Sequence, residues 1–132
     1  MAWRSLVLLL VLVVVLPVSL AADSISKVFN YPNPYDPAAG TVTIVFFYHR
    51  VGGAMDISCT VNIYNLAGQL VLKKNQTASV AADDRTTVSV IWNGKTDRGD
   101  AVPPGVYYVR IVTGGGAGSV QSLSAYGKLM VK

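Results

Sequence analysis

Hydrophobic and polar residues alternate along most of the chain after residue 40. Apolar side chains recur at every second position in four segments, with mainly polar residues between them. A period of two is typical of β-strands that bury one face, because successive side chains point to opposite sides of a sheet. The pattern predicts strands over 41–50, 57–64, 85–92 and 107–111. Their inward residues are Val42, Ile44, Phe46 and Tyr48; Ile57, Cys59, Val61 and Ile63; Val88, Val90 and Trp92; and Tyr107, Val109 and Ile111.

Weaker signals predict three further strands. Leu70 and Leu72 mark a short one, 25–29 precedes the first prolines, and 120–132 ends in an apolar run. Clusters of Gly, Pro, Asn and Asp separate the segments, and no stretch has a helical period with caps. We therefore expect a single antiparallel immunoglobulin-like β-sandwich of about seven strands, with the glycines of 114–118 forming a flexible hairpin tip.

The first residues have the features of an export signal. A short basic start is followed by the aliphatic run 5–16, then Pro17 and the small residues around Ala21. We predict a signal peptide over 1–21, cleaved after Ala21 or, as the next choice, after Ala22. An uncleaved membrane anchor is the alternative, although the run is shorter than the roughly 20 residues that span a bilayer. The domain then occupies 22–132, and we expect a secreted or surface protein with no stable membrane span after cleavage.

Charge and cysteine content narrow the possible partners. The net charge is +4 and falls to +3 when Arg4 leaves with the signal, and the basic residues are scattered. This gives no reason to expect nucleic acid as a partner. Cys59 is the single cysteine, so it cannot form an intramolecular disulfide. Its place among alternating apolar residues predicts a buried thiol.

No residue pattern points to catalysis, and we predict no catalytic residues and no cofactor. His49 is the single histidine, and no serine lies in a Gly-x-Ser-x-Gly motif. Asn93, Asp97 and Asp100 place oxygen ligands of the kind calcium uses in one glycine-containing loop. They lack EF-hand spacing, and Asx turns account for them equally well.

Three segments in order carry a family resemblance. They are YPNPYDP at 31–37, followed by 41–46; VNIYNLAGQLV at 61–71; and WNGKTDRGDAVPPGVY at 92–107. Together they resemble the type A C-terminal sorting domains of type IX secretion and the immunoglobulin-like domain of the flagellar hook-capping protein FlgD. The resemblance runs from about Val28 to Lys132 and implies a small β-sandwich.

Turn chemistry explains most of these motifs. Prolines fix φ and remove amide donors, so the leading segment should precede the first long strand rather than sit inside a sheet. The 65–68 motif suits a hairpin, and the Trp92 indole can close one end of the core. The leading segment comprises Tyr31, Pro32, Asn33 and Pro34. The residues of the signature loop are Trp92, Gly94, Asp97, Gly99, Pro104, Gly105 and Tyr107.

Three functions remain open at this point. The resemblance implies a sorting module whose partner is an export machinery. A self-assembling structural subunit is the first alternative: the segment containing Ile25, Val28 and Phe29 could pair with an exposed edge strand of another copy, and outward aromatics could add contact area. A monomeric adhesion or ligand-binding module is the second.

Overall fold

A computed structural model describes residues 22–115 and 122–132 of the chain. Eight β-strands and one short 3-10 helix, Pro37–Ala39, make up the domain. The predicted signal peptide and the tip of the last hairpin lie outside the described residues. The strands are β1 (Ser24–Ile25), β2 (Phe29–Tyr31), β3 (Val42–His49), β4 (Met55–Tyr64), β5 (Leu70–Val80), β6 (Arg85–Trp92), β7 (Gly105–Gly115) and β8 (Leu123–Val131).

The strands form two sheets of four, which confirms the predicted antiparallel sandwich. In sheet A, β6 pairs with one edge of β3, while β1 and β2 share its other edge. In sheet B the order is β5-β4-β7-β8. Every pairing between strands is antiparallel. The two sheets bury their inward residues against each other, as two half-apolar sheets must.

The core consists of the residues that the period of two marks as inward. All four predicted apolar sets are buried. Cys59 is fully buried, as predicted, and burial raises the pKa of its thiol to about 11. A thiol in this state is protonated at neutral pH and acts as a small hydrophobic side chain.

Three strands differ from the prediction. β7 runs from Gly105 to Gly115 rather than over 107–111, so Gly114 and Gly115 lie in the strand and not in the predicted hairpin tip. The early strand is split into β1 and β2 near Ser26, whose hydroxyl accepts a hydrogen bond from the Phe47 N–H of β3 at 2.9 Å and so replaces a backbone acceptor. The strand expected at Leu70 and Leu72 continues to Val80. It is the outermost strand of sheet B and mostly exposed, so its second half has no need of the apolar alternation that would reveal it.

The portions 22–115 and 122–132 contain no helix long and apolar enough to cross a bilayer.

Candidate interaction surfaces

The signature loop folds back on itself just after β6. The Trp92 indole Nε1 donates to the Lys95 carbonyl at 2.8 Å, and Val102 N donates to the Gly94 carbonyl at 2.9 Å. An isolated antiparallel bridge joins Lys95 and Ala101. The loop is therefore held by its own backbone, as its turn residues predict.

An aromatic cluster underlies this loop. The Trp92 ring lies 6.2 Å from the Tyr35 ring and 6.4 Å from the Tyr107 ring, centre to centre. Gly94 has a φ of 76°, and a Cβ there would lie 3.1 Å from the Tyr35 hydroxyl. Glycine is required at this position both by backbone conformation and by close packing. The cluster closes one end of the core, as expected for Trp92.

The oxygen-bearing residues of the loop mostly have protein donors. The Asn93 side chain accepts from Lys95 N at 3.1 Å in an Asx turn, and one Asp97 carboxylate oxygen accepts from Lys73 N at 3.3 Å. The Asp100 backbone carbonyl accepts from Thr96 N. Across the described parts of the chain, no three His, Cys, Asp or Glu side chains are grouped to hold a metal ion. His49 is exposed at the end of β3.

The leading segment connects the two sheets along one side of the sandwich. It includes two cis peptide bonds, Tyr31-Pro32 and Asn33-Pro34. The Asn33 amide donates to the Lys128 carbonyl at 3.1 Å, and its oxygen accepts from Met130 N at 3.0 Å. Tyr35 follows with two backbone bonds, donating to the Met130 carbonyl at 2.7 Å and accepting from Lys132 N at 2.8 Å. The outer edge of β8 is thus closed by the chain's own N-terminal segment.

The possible assembly segment lies inside the same sandwich. Ile25 pairs with Tyr48 and Phe29 pairs with Val45, both on β3. Val28 is buried, and a Cβ on Gly127 of β8 would lie 2.9 Å from the Val28 Cβ. The segment therefore forms an edge of sheet A, paired with β3 on one side.

Sequence reasoning missed a carboxylate clamp at the start of the domain. Asp23 accepts hydrogen bonds from the Tyr48 hydroxyl at 2.6 Å, Val51 N at 2.8 Å and the Arg50 guanidinium at 2.9 Å. Burial raises the pKa of this carboxyl, but the three donors and the Arg50 charge outweigh it and lower the pKa below the usual aspartate value. The partners lie more than 20 residues from Asp23 along the chain, so only the fold brings them together.

The opposite side of the sandwich is joined only loosely. The Lys74 ammonium donates to the Ile91 carbonyl and the Gln76 amide to the Ser89 carbonyl, both at 3.1 Å. Both contacts run from side chains of β5 to the free edge of β6. The two sheets therefore meet here through flexible side-chain ends rather than through backbone bonds.

The outer face of sheet A carries exposed apolar side chains. Phe29 is 48% exposed and Ile91 57%. The Phe29 and Phe47 rings meet edge to face at 6.2 Å, and the Arg85 guanidinium lies 4.6 Å above the centre of Phe47. Phe47 is thus outward but partly covered, while Tyr64 and Tyr108 are outward on sheet B.

Open grooves flank the signature loop. One of about 300 Å³ is lined by Leu66, Val71, Pro103 and Tyr107 among others. A second, of about 350 Å³, shares Val71 and reaches Asp97 and Asp100. Both grooves are open and lined by apolar side chains, and the second also has the charged side chains Asp97, Arg98 and Asp100.

Known proteins share this architecture. The chain is similar to the dimeric latent PorU of Porphyromonas gingivalis, with a TM-score of 0.60, 22% identity and 86% of this chain covered. It is also similar to a Bacteroides uniformis β-glucuronidase, with a TM-score of 0.58, 10% identity and 79% covered. The sporulation control protein Spo0M of Bacillus subtilis gives a TM-score of 0.51, 12% identity and 85% covered.

These likenesses concern the fold alone. The matched region spans 10% of the PorU chain, 12% of the glucuronidase and 50% of Spo0M. No curated protein sequence matches this chain.

The sequence itself gives a family match. The model of the FlgD Ig-like domain matches residues 54–117. That range contains the second and third motif segments, the β4–β5 hairpin and the whole signature loop. The match confirms, over residues 54–117, the similarity to the FlgD Ig-like domain that the motifs predict.

Proposed function

We propose that this chain is a non-catalytic, exported module that acts at the cell surface through protein contacts, in the manner of a type IX sorting domain. The observation that carries the proposal is the FlgD Ig-like match over 54–117, together with a C-terminal strand at the outer edge of sheet B. An export signal over 1–21 is part of the proposal. Such a module works by presenting a surface, since binding function lies in sites placed on a fold.

A non-enzymatic role agrees with the chemistry of the described residues. The thiol of Cys59 is buried and His49 is exposed at a strand end. A nucleophile needs a base within hydrogen-bond reach, and these two side chains lie on different sheets.

The C-terminal strand has two faces with separate roles. Leu129 and Val131 point inward and are buried, so they hold the fold. Met130 and Lys132 are exposed and free to contact an export machinery. Removing 128–132 would therefore unfold the domain as well as remove the contact surface. Substitutions of exposed side chains test recognition while the fold is kept.

The test is a reporter inserted between the predicted signal peptide, 1–21, and the domain, 22–132, in a host with type IX secretion. We expect the reporter at the cell surface. The outward variant Met130→Ser with Lys132→Ala should reduce surface display, because it changes only exposed side chains at the end of β8 and directly after it. A reporter left in the periplasm by the unaltered, folded domain would contradict the proposal.

A matched control changes the same side-chain types elsewhere. Leu70→Ser with Lys95→Ala replaces one exposed apolar and one basic residue away from β8. Display should persist in this variant. Equal loss in both variants would show that recognition is not centred on the C-terminal strand.

A self-assembling subunit remains a second candidate, favoured by one observation. Among the residues that the structure describes, Phe29, Tyr31 and Ile91 are exposed on sheet A, and exposed apolar patches mark contact sites. Light scattering of the exported protein over a concentration series tests it. Growth of regular assemblies that Ile91→Ser abolishes would favour this candidate, and a monomer at every concentration would exclude it.

A further inference from the structure

The outer face of sheet B brings tyrosines and cations into adjacent rows. The strand register places Tyr64 beside Tyr108, which pairs in turn with Lys128. The next row runs from Lys73 through Asn62 and Arg110 to Tyr126. We call this surface the tyrosine–cation face; it comprises Tyr64, Lys73, Tyr108, Arg110, Tyr126 and Lys128.

Much of this face is open to solvent and bordered by apolar groups. Tyr126 is 60% exposed and Tyr108 44%. Leu70 and Met130, at opposite edges of the sheet, are also about half exposed. Tyrosine, arginine and methionine are enriched where proteins bind one another, because they combine apolar area with a polar end.

Within the described residues, no ion pair joins a cation of this face to an acidic side chain. In the portion of the chain that the structure describes, the single ion pair joins Arg50 to Asp23, far from this surface. The Arg110 guanidinium lies 5.9 Å from the Tyr126 ring centre, and its buried Nε has no hydrogen-bond acceptor. Because Nε is closed to solvent, an external carboxylate would pair with the terminal nitrogens of this half-buried guanidinium.

Acidic residues occur only around the margin of this surface. Asp97 accepts from the Lys73 backbone at the rim. Asp56 is outward on β4, but Ser58 and Thr60 separate it along the strand from the rows of this face. The Ser79 hydroxyl donates a hydrogen bond to its carboxylate. The face is thus positive at its centre, which favours a negatively charged occupant.

We propose that the tyrosine–cation face binds an acidic polypeptide segment that also carries apolar side chains. Carboxylates would pair with Arg110 and Lys128, and apolar side chains would pack on Tyr108, Tyr126 and Met130. The exposed apolar area favours a polypeptide over an anionic polysaccharide, which would use the charges but leave Leu70 and Met130 uncovered. This inference does not rest on the export role.

The probe for the test is a random glutamate–tyrosine copolymer, compared with dextran sulfate. Binding of each to the purified protein is measured by calorimetry, and NMR line broadening maps the contacted residues. We expect the copolymer to bind on sheet B, with affinity falling as salt screens the charges. The variants Arg110→Gln and Lys128→Gln should each weaken binding about tenfold, the usual scale for a central charged contact.

Arg85→Gln is the matched control. Arg85 also stacks on an aromatic ring, but on the outer face of sheet A. It should change the affinity less than about twofold, as expected outside the contact. Lys128 is exposed, so its variant keeps the test valid even if Arg110→Gln alters folding. The proposal is overturned if the copolymer does not bind, if Arg85→Gln weakens binding as much as the sheet B variants, or if dextran sulfate binds more tightly at the same residues.

Discussion

The two long sides of this sandwich are closed by different means. On one side, the N-terminal segment is bonded to β8 by backbone groups of Tyr35 and by both ends of the Asn33 amide. On the other, β5 reaches β6 through the ends of Lys74 and Gln76. Backbone bonds are fixed by the fold, whereas a long side chain loses rotamer entropy when it is held. The first side should therefore contribute far more to stability.

The comparison also separates the roles of the two sides. The closed side makes the N-terminal segment an integral part of the domain, as the packing of Val28 on Gly127 requires. The open side leaves one edge of β5 unpaired along most of its length. Lys73 and Lys74 on that edge discourage strand addition by another chain, since charge on an edge opposes pairing.

The largest loss of stability should come from adding a side chain at Gly127, which packs closely against Val28. In Gly127→Ala, the new Cβ would lie 2.9 Å from both the Val28 Cβ and the Val28 carbonyl oxygen. We expect a loss of about 2–3 kcal/mol in unfolding free energy, the usual cost of overpacking. Denaturant unfolding measures it. Gly53→Ala is the control, because a Cβ there meets nothing within 4 Å; equal losses would contradict the packing argument.

The clamp at Asp23 should give the next effect. Asp23→Asn removes the charge that Arg50 and two other donors stabilise, and we expect a loss of about 1–2 kcal/mol at neutral pH. Because the folded pKa is lowered, the contribution is present above the unfolded aspartate pKa and is lost as pH falls through the folded pKa.

Unfolding measured from neutral to acid pH checks this sign. The difference between the unaltered protein and Asp23→Asn should shrink as the solution becomes more acid. A difference that stays constant over that range would show that the carboxylate charge is not what the clamp uses.

A smaller effect is expected from the Asn33 bridge. Asn33→Ala removes one donor and one acceptor at the edge of β8 and should cost about 1 kcal/mol. Asn33→Asp keeps the acceptor for Met130 N, so its unfolding free energy should lie between those of the unaltered protein and Asn33→Ala. A result in which Asp is worse than Ala would mean that charge, not the bridge, dominates at this position.

The smallest effect belongs to the open side. Gln76→Ala removes one exposed side-chain bond to the Ser89 carbonyl, and we expect a loss of at most about 0.5 kcal/mol. Denaturant unfolding of Gln76→Ala and Asn33→Ala under the same conditions compares the two losses of unfolding free energy. A loss as large as that of Asn33→Ala would remove the distinction between the two sides.

The sequence predicts those elements whose burial leaves a local pattern. The strands β3, β4 and β6 alternate between apolar and polar residues, and their predicted ranges agree closely with the structure, whereas only the middle of β7 is predicted. The far half of β5 is an exposed edge, so its sequence reads like a loop. The early strand is split where the Ser26 hydroxyl accepts a hydrogen bond from Phe47 of β3. No local sequence pattern predicts this long-range contact.

The candidate surfaces divide in the same way. The turn glycine Gly94 and the indole of Trp92 follow from residue type and spacing. The Asp23 clamp and the rows that join Tyr108, Arg110 and Tyr126 depend on the register of strands far apart in sequence. These surfaces can be identified only once the pairing of the strands is known.

Native-state hydrogen exchange tests the central claim that the N-terminal segment completes the sandwich. The backbone amides of Tyr35, Met130 and Lys132 form hydrogen bonds between this segment and the end of β8. On the open edge of β5, the Lys73 amide points away from β4, and the amides of Asn75 and Thr77 point the same way because amide direction alternates along a strand. We predict that the first three exchange only on global unfolding and that the last two exchange with little protection. Equal, fast exchange at both sets would show that the N-terminal segment detaches readily, contradicting the claim and favouring its use as a strand donated to another copy.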